Sequence, residues 1–300
     1  MRRSVAKVFA ATAASVLPLT LVASTPASAA PTHATWGSIV KQAAIAKELP
    51  SALKTSGILR VASDATYAPM EYLATDNTTV LGVDADLMKA ISQVLGLQLH
   101  MTNETFDGII TKVQSNTYDV GASSFTDTKA REKAVNFVDY FMAGESFYMK
   151  KGHKPMTGSG LTQMCGLKVA VESGTTEEAD ATSAITACSK AHKATVTVRS
   201  YNDQAAANLA VSSGQADVGF LDQPIAGYVV STSKGVFVNT GKPFAAAPYG
   251  FAIGKTYPGL DKAILDATKY IYAHGQYAAI LKFWGQSSGS RAISENKATF

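Results

Sequence analysis

Ile58-Leu59-Arg60-Val61-Ala62 follows Gly57 as a short run of mostly apolar residues and breaks into a polar loop at Asp64 that carries Tyr67-Ala68-Pro69. A short apolar run bounded by turn residues reads as a buried strand. The sequence around it supplies the context. Residues 84–95 place apolar side chains at Leu87, Met88, Ile91, Val94 and Leu95, the spacing of a helix with one inward face, and Asp84 stands at the start as a cap. Residues 97–101 read as a strand, 106–113 as a helix and 119–122 as another short strand ending at Ser123. This alternation predicts a mostly parallel sheet flanked by helices.

A second α/β series begins after the Gly-, Pro- and Ser-rich stretch 152–160, with strands at 167–171, 195–198 and 216–221 and helices at 176–187, 203–212 and 224–230. Apolar strands at 145–149 and 247–253 bracket the series, and a long amphipathic helix at 260–283 follows. The two bracketing strands read as paired crossovers, so one lobe is inserted into another through a hinge and a ligand is held in the cleft between. The expected organisation is a first lobe formed by 57–146 and 249–286, a second lobe formed by 147–248, and a C-terminal tail at 287–300. An N-terminal helical arm is expected at 30–56, with apolar positions Ile39, Ala43, Ile45, Leu49 and Leu53 and a break at Pro50.

Residues 1–29 read as an export signal. Arg2, Arg3 and Lys7 precede an apolar, Ala-rich run from Val8 to about Val22 without an acidic residue, and Ala27-Ser28-Ala29 places the expected cut before Ala30. The twin arginines lack the fuller context of a folded-export signal, which favours the Sec route. No Cys lies near the cut to carry a lipid, so a freely diffusing periplasmic or secreted monomer is expected. Most of the formal charge of +4 belongs to the signal, and the remaining chain sits at about +1. No basic cluster with interleaved aromatics follows, which argues against nucleic acid as a partner. No second apolar run near 18 residues follows either, so no membrane span is expected in the mature chain. About 270 residues exceed one ordinary core.

Cys165 and Cys188 are the only cysteines, and an even pair in an oxidising compartment reads as one disulfide. The alternative, a metal or redox pair, lacks a CxxC, and the histidines at 33, 100, 153, 192 and 274 show no paired ligand spacing. No metal and no cofactor is expected.

The densest polar run at a strand end is Ser123-Ser124-Phe125-Thr126-Asp127-Thr128, followed by Arg131. Ligands of α/β sheets meet the carboxyl ends of strands, and an arginine offers a planar fork for a carboxylate. A surface Arg beside an ordinary Ser/Thr turn fits the same residues equally well. Glu172-Ser173-Gly174-Thr175-Thr176 ends a strand and opens a helix, where free N–H groups favour an anion, although a plain N-cap is the commoner meaning. Asp222 stands at the end of an apolar strand before Gln223-Pro224 and reads either as a carboxylate for an ammonium group or as a helix cap.

Taken in order, Ile58-Leu59-Arg60-Val61, Asp64 to Tyr72, Gly82-Val83-Asp84-Ala85-Asp86-Leu87 and Phe106-Asp107-Gly108-Ile109-Ile110 carry a resemblance. It continues through Tyr118 to Ser124, Thr128 to Arg131, Ser173 to Thr176, Gly214 to Asp217 and Leu221-Asp222. From Gly57 to about Trp284 the chain resembles extracellular solute-binding protein family 3, the amino-acid-binding proteins of ABC transporters with the periplasmic binding protein type II fold. The resemblance implies that Arg131 grips the ligand α-carboxylate with Ser124, Thr126 and Thr176, and that Asp222 holds the α-ammonium group. It also places Asp64, Tyr67 and Phe106 along the side-chain pocket with Ser123 at the strand end. Tyr67 and Phe106 then sandwich the ligand, unless they are plain core aromatics, and Asp64 meets a polar or cationic tip. Glu71 has no assigned ligand contact and reads at least as a partner of the Asp64 loop. Phe125 departs from the smaller residue often found there, and either narrows the pocket or packs behind it.

The implied mechanism has ligand bound first by lobe 1, after which rotation about the crossovers brings Ser173, Thr176 and Asp222 onto it, and permease subunits of an importer recognise the closed form. No catalytic residues are expected. A dehydratase-like enzyme on this fold needs an acid over a leaving group, for which only Glu71 or Asp64 offers itself, and no nucleophile–base pair stands out. A ligand sensor for a membrane receptor needs the same closure as an importer. Asp64 favours a polar or basic amino acid over an aliphatic one.

Overall fold

The computed structural model describes residues 33–300. The export signal read at 1–29 and its cut lie outside them. Two short helices, α1 (Ala43–Ala46) and α2 (Ser51–Ser56), lead into β1 (Ile58–Ser63). A small antiparallel sheet of β2 (Thr66–Tyr67), β3 (Glu71–Leu73) and β4 (Val80–Leu81) follows, then α3 (Val83–Leu95), β5 (Gln98–Asn103), α4 (Phe106–Gln114) and β6 (Val120–Gly121). The long β7 (Val135–Lys150) leads to β8 (Lys168–Glu172), α5 (Thr176–Lys190), β9 (Thr197–Tyr201), α6 (Gln204–Ser213), β10 (Val218–Asp222) and α7 (Gln223–Thr232). The equally long β11 (Phe237–Gly254) returns the chain to α8 (Leu260–Ala273), α9 (Gln276–Phe283) and β12 (Ser290–Glu295).

The strands form one path in the order β5-β1-β6-β11-β7-β10-β8-β9, with β12 added on β7. β1 pairs in parallel with β5 and β6, and β8 pairs in parallel with β9 and β10. The antiparallel pair β7 and β11 joins these two parallel series, which are the two α/β units anticipated from the alternation. Register shifts in β11 fall between Thr240 and Phe244, Phe244 and Ala247, and Tyr249 and Gly250. Such irregularities bend a strand. The second series has its own core around Phe147, Val169, Val171, Val218 and Phe220, with the Phe147 and Phe220 rings stacked at 4.6 Å.

Cys165 and Cys188 are disulfide-bonded, tying the loop before β8 to α5. Closing a loop of 23 residues in the unfolded chain corresponds to about 3 kcal/mol of stabilisation on the chain-entropy account.

Three elements differ from the sequence expectation. The helix read as continuous over 260–283 is two helices, because Gly275 adopts φ +86° and ends α8, while Tyr277, Ile280 and Leu281 resume the buried face and prolong the apolar pattern across the break. The crossover strands run much further than 145–149 and 247–253. The tail is not featureless, since β12 pairs antiparallel with β7. The arm is tied to α3, where Asp86 accepts the Ala34 N–H at 2.8 Å and lies 2.7 Å from His33 Nδ1, and Asp86 also accepts the Trp284 indole N–H at 2.8 Å. Among the described residues no helix is long and apolar enough to cross a membrane.

Candidate ligand-binding site

The carboxyl ends of β1, β6, β8 and β10 and the amino ends of α4 and α5 converge on a small cavity. Of the residues singled out in the sequence, Asp64, Tyr67, Phe106, Ser123, Ser124, Thr126, Arg131, Thr176 and Asp222 line it. Ser173 does not: its N–H donates to Tyr201 O at 2.8 Å. Glu172, Thr175 and Glu177 complete the lining. A wider groove of about 810 Å³ elsewhere, lined by Tyr228, Phe244 and Trp284 among others, has no charged side chain among the described residues that line it.

The lobe-1 wall is built with backbone strain. Ser124 has φ +48°, a left-handed conformation that a residue with a Cβ adopts at a cost of about 1–2 kcal/mol. Two buried acids hold it there. Asp84 accepts the Ser124 N–H at 3.0 Å and the Tyr140 hydroxyl at 2.5 Å, and Glu71 accepts the Ser124 hydroxyl at 3.1 Å. Burial pushes Asp84 up to about 7 and raises Glu71 well above the carboxylate range, with Asp84's charge adding to the latter. Glu71 is thus a support beneath the strand end, and it reaches Ser124 more closely than it reaches Ser123. Ser123 Oγ accepts the Asp64 N–H at 2.9 Å, while the Asp64 carboxylate accepts the Thr66 hydroxyl at 2.7 Å and the Phe106 N–H at the start of α4 at 3.1 Å.

Arg131 Nη1 donates to Thr126 O at 2.8 Å and Nη2 to Gly174 O at 2.9 Å, and its guanidinium carbon sits 5.5 Å from the centres of both the Phe106 and Phe125 rings. Burial pushes the guanidinium down to about 10, so it stays cationic at neutral pH. Phe125 packs behind Phe106, ring centres 4.6 Å apart, and is not part of the cavity lining. The extra aromatic therefore packs behind the wall.

Several contacts span the two α/β units. Besides Arg131 to Gly174, Thr126 Oγ1 and Thr176 Oγ1 lie 3.4 Å apart, Asp222 N donates to the Tyr67 hydroxyl at 3.3 Å and Gln204 N to the Thr66 hydroxyl at 3.2 Å. Gly174, at φ +80°, approaches so closely that a Cβ there would lie 2.9 Å from Asp107 Cβ. The two α/β units thus touch on both sides of the cavity. At the start of α5 two donors are already used, because Glu178 accepts Gly174 N–H at 2.8 Å and Thr175 Oγ1 accepts Glu178 N–H at 3.1 Å.

Four carboxyl groups, Asp64, Glu172, Glu177 and Asp222, face this cavity against one guanidinium. Burial raises all four, pushing Glu172 up to about 10 with the Asp64 charge as a further cause, and raising Asp222 well above its ordinary value with Glu177 contributing. Sequence reasoning missed Glu172 and Glu177. An acid in the first turn of a helix, as Glu177 is, reads as a partner of the helix dipole. Glu172's place at the end of a parallel strand was the available signal.

The sequence profile of the "Bacterial extracellular solute-binding proteins, family 3" matches residues 59–287. The "Arginine-binding protein ArgT" of Corynebacterium glutamicum is 31% identical over 242 residues, covering 80% of this chain and 78% of that one. The "ABC transporter glutamine-binding protein GlnH" of Bacillus subtilis is 32% identical over 207 residues, covering 68% of this chain and 72% of that one. Among solved structures, an ancestral arginine-binding protein bound to arginine superposes with a TM-score of 0.69 at 31% identity, over 76% of this chain and 98% of that one.

Proposed function

The chain belongs to the bacterial extracellular solute-binding proteins, family 3, and from that premise we propose that it is exported and cleaved before Ala30, captures a basic amino acid, arginine foremost, in its closed cleft, and delivers it as a monomer to an ABC importer. The similar proteins are binding proteins for arginine and glutamine, the latter of an ABC transporter. The observation that carries the choice of ligand is the make-up of the cavity lining, where four carboxyl groups face a single guanidinium among the described residues.

In this reading Arg131, Ser124 and Thr126 take the α-carboxylate with Thr176, and Asp222 takes the α-ammonium. Tyr67 and Phe106 flank the aliphatic stem. Asp64, and Glu172 facing it, receive the cationic tip. Lobe 1 (57–146 and 249–286) binds first, and lobe 2 (147–248) closes on it through β7 and β11. Ligand that bridges both walls stabilises the closed form by its differential affinity, and no other source of bias is needed. Ser173 contributes through the backbone turn that carries Gly174 and Thr175.

The test is a thermal-shift screen of the mature chain, refolded from denaturant to strip carried ligand, against the twenty amino acids. At 100 times its dissociation constant a ligand stabilises by about 2.7 kcal/mol. A selective rise with arginine, lysine or histidine is expected. A flat response to all twenty refutes the assignment.

A further inference from the structure

The four cavity acids line one buried space, Asp64 and Glu172 at the carboxyl ends of β1 and β8, and Asp222 and Glu177 at the end of β10 and the start of α5. The ionisation of Asp64 is governed by burial and by Thr66, then Glu172, and that of Glu172 by burial and then Asp64. Asp222 and Glu177 form the second pair beside Arg131. Glu172 Oε1 and Glu177 Oε1 are buried and accept no hydrogen bond. Two carboxyls in one desolvated site do not both ionise readily, and a proton held between them is the low-energy arrangement.

Resting on the reading of this cleft as an amino-acid site, we propose that Glu172 is its charge-selecting residue: the Asp64–Glu172 pair holds a proton in the free protein and gives it up to a cationic ligand tip. The Glu177–Asp222 pair does the same for the α-ammonium group. A ligand with a second positive charge thus expels a proton that a neutral-tipped ligand of equal shape leaves in place. The charged surroundings act in the required direction. Asp203 adds negative charge near the first pair, while burial holds the neighbouring Glu71 and Glu145 protonated, Glu145 being pushed up to about 11. Tyr67 and Tyr249 adjoin the second pair and stay protonated, their own ionisation suppressed by burial. Among the described residues lining the cavity Arg131 is the one cation, and it lies beside the second pair. With Glu172 pushed up to about 10 before ligand arrives, the proton is present throughout the neutral range.

The experiment is calorimetric titration of the refolded wild-type chain at pH 7 with L-arginine and with L-citrulline, which replaces the guanidinium by a neutral urea. Each is run in phosphate and in Tris, whose ionisation heats differ, so that the protons exchanged are counted. Arginine is expected to release about one proton more than citrulline, and its affinity to rise with pH about tenfold per unit more steeply. Glu172→Gln is expected to remove that difference and to narrow the preference for arginine; Asp64→Asn provides a second variant. Equal proton counts for the two ligands on the wild type overturn the proposal while leaving an amino-acid site intact. Failure to bind both of these ligands and every other amino acid of the thermal-shift screen overturns the amino-acid reading itself.

Discussion

Replacing Arg131 by Ala removes the sole cation among the described residues that line the cavity. Two of the guanidinium's five donors are committed to Thr126 O and Gly174 O, and the rest are available to a ligand carboxylate. Removing one partner of a buried, hydrogen-bonded charge pair costs about 2–5 kcal/mol, which corresponds to about 30-fold to about 5,000-fold in dissociation constant. The upper half of that range is expected here, because the same side chain bridges to Gly174 across the cleft and its loss also weakens closure. Arg131→Lys keeps the charge but not the planar fork or the contact with Phe106 and Phe125, and falls between wild type and Ala. Titration calorimetry on refolded protein measures the loss, with a thermal melt to establish that the fold survives. An Arg131→Ala protein that binds with wild-type affinity refutes the assignment of the α-carboxylate to this residue.

Gly174→Ala places a Cβ 2.9 Å from Asp107 Cβ and strains a φ of +80°, so it props the cleft open; ligand affinity falls, and small-angle scattering shows no contraction on adding arginine, whereas normal closure contradicts the account. The double variant Cys165→Ser, Cys188→Ser is expected to lose about 3 kcal/mol in urea unfolding while retaining affinity, since the bridge lies outside the cavity lining. Asp127 is buried, and desolvation with the charge of Asp139 pushes it up to about 7. A carboxyl raised in this way contributes stability that is complete below its unfolded value near 4 and is lost as pH rises through about 7. Asp127→Asn is therefore expected to gain melting temperature relative to wild type between pH 4 and pH 8, and parallel profiles overturn that expectation.

The parallel series and the strand ends were legible because both periodicities are local. The apolar face of residues 84–95 and the run at 58–62 each carry their own signal. Loci at the ends of those strands, such as Ser123, Arg131 and Asp222, could be selected before any contact was known, and the structure brings them to one cavity. What escaped depends on tertiary context. The break at Gly275 is a backbone event beneath an uninterrupted apolar pattern. β12 acquires its identity only by pairing with β7. Glu172 and Glu177 look like solvated charges until the facing lobe buries them, at 2% exposure each. Phe125 was ambiguous for the same reason, its role set by stacking on Phe106.

Titration of the refolded mature chain with L-arginine, read as heat and stoichiometry, addresses the central claim most directly. One saturable site per chain, lost in Arg131→Ala and weakened in Asp222→Asn, is the result the account predicts. Absence of saturable binding with arginine, lysine, histidine and glutamine alike would contradict it.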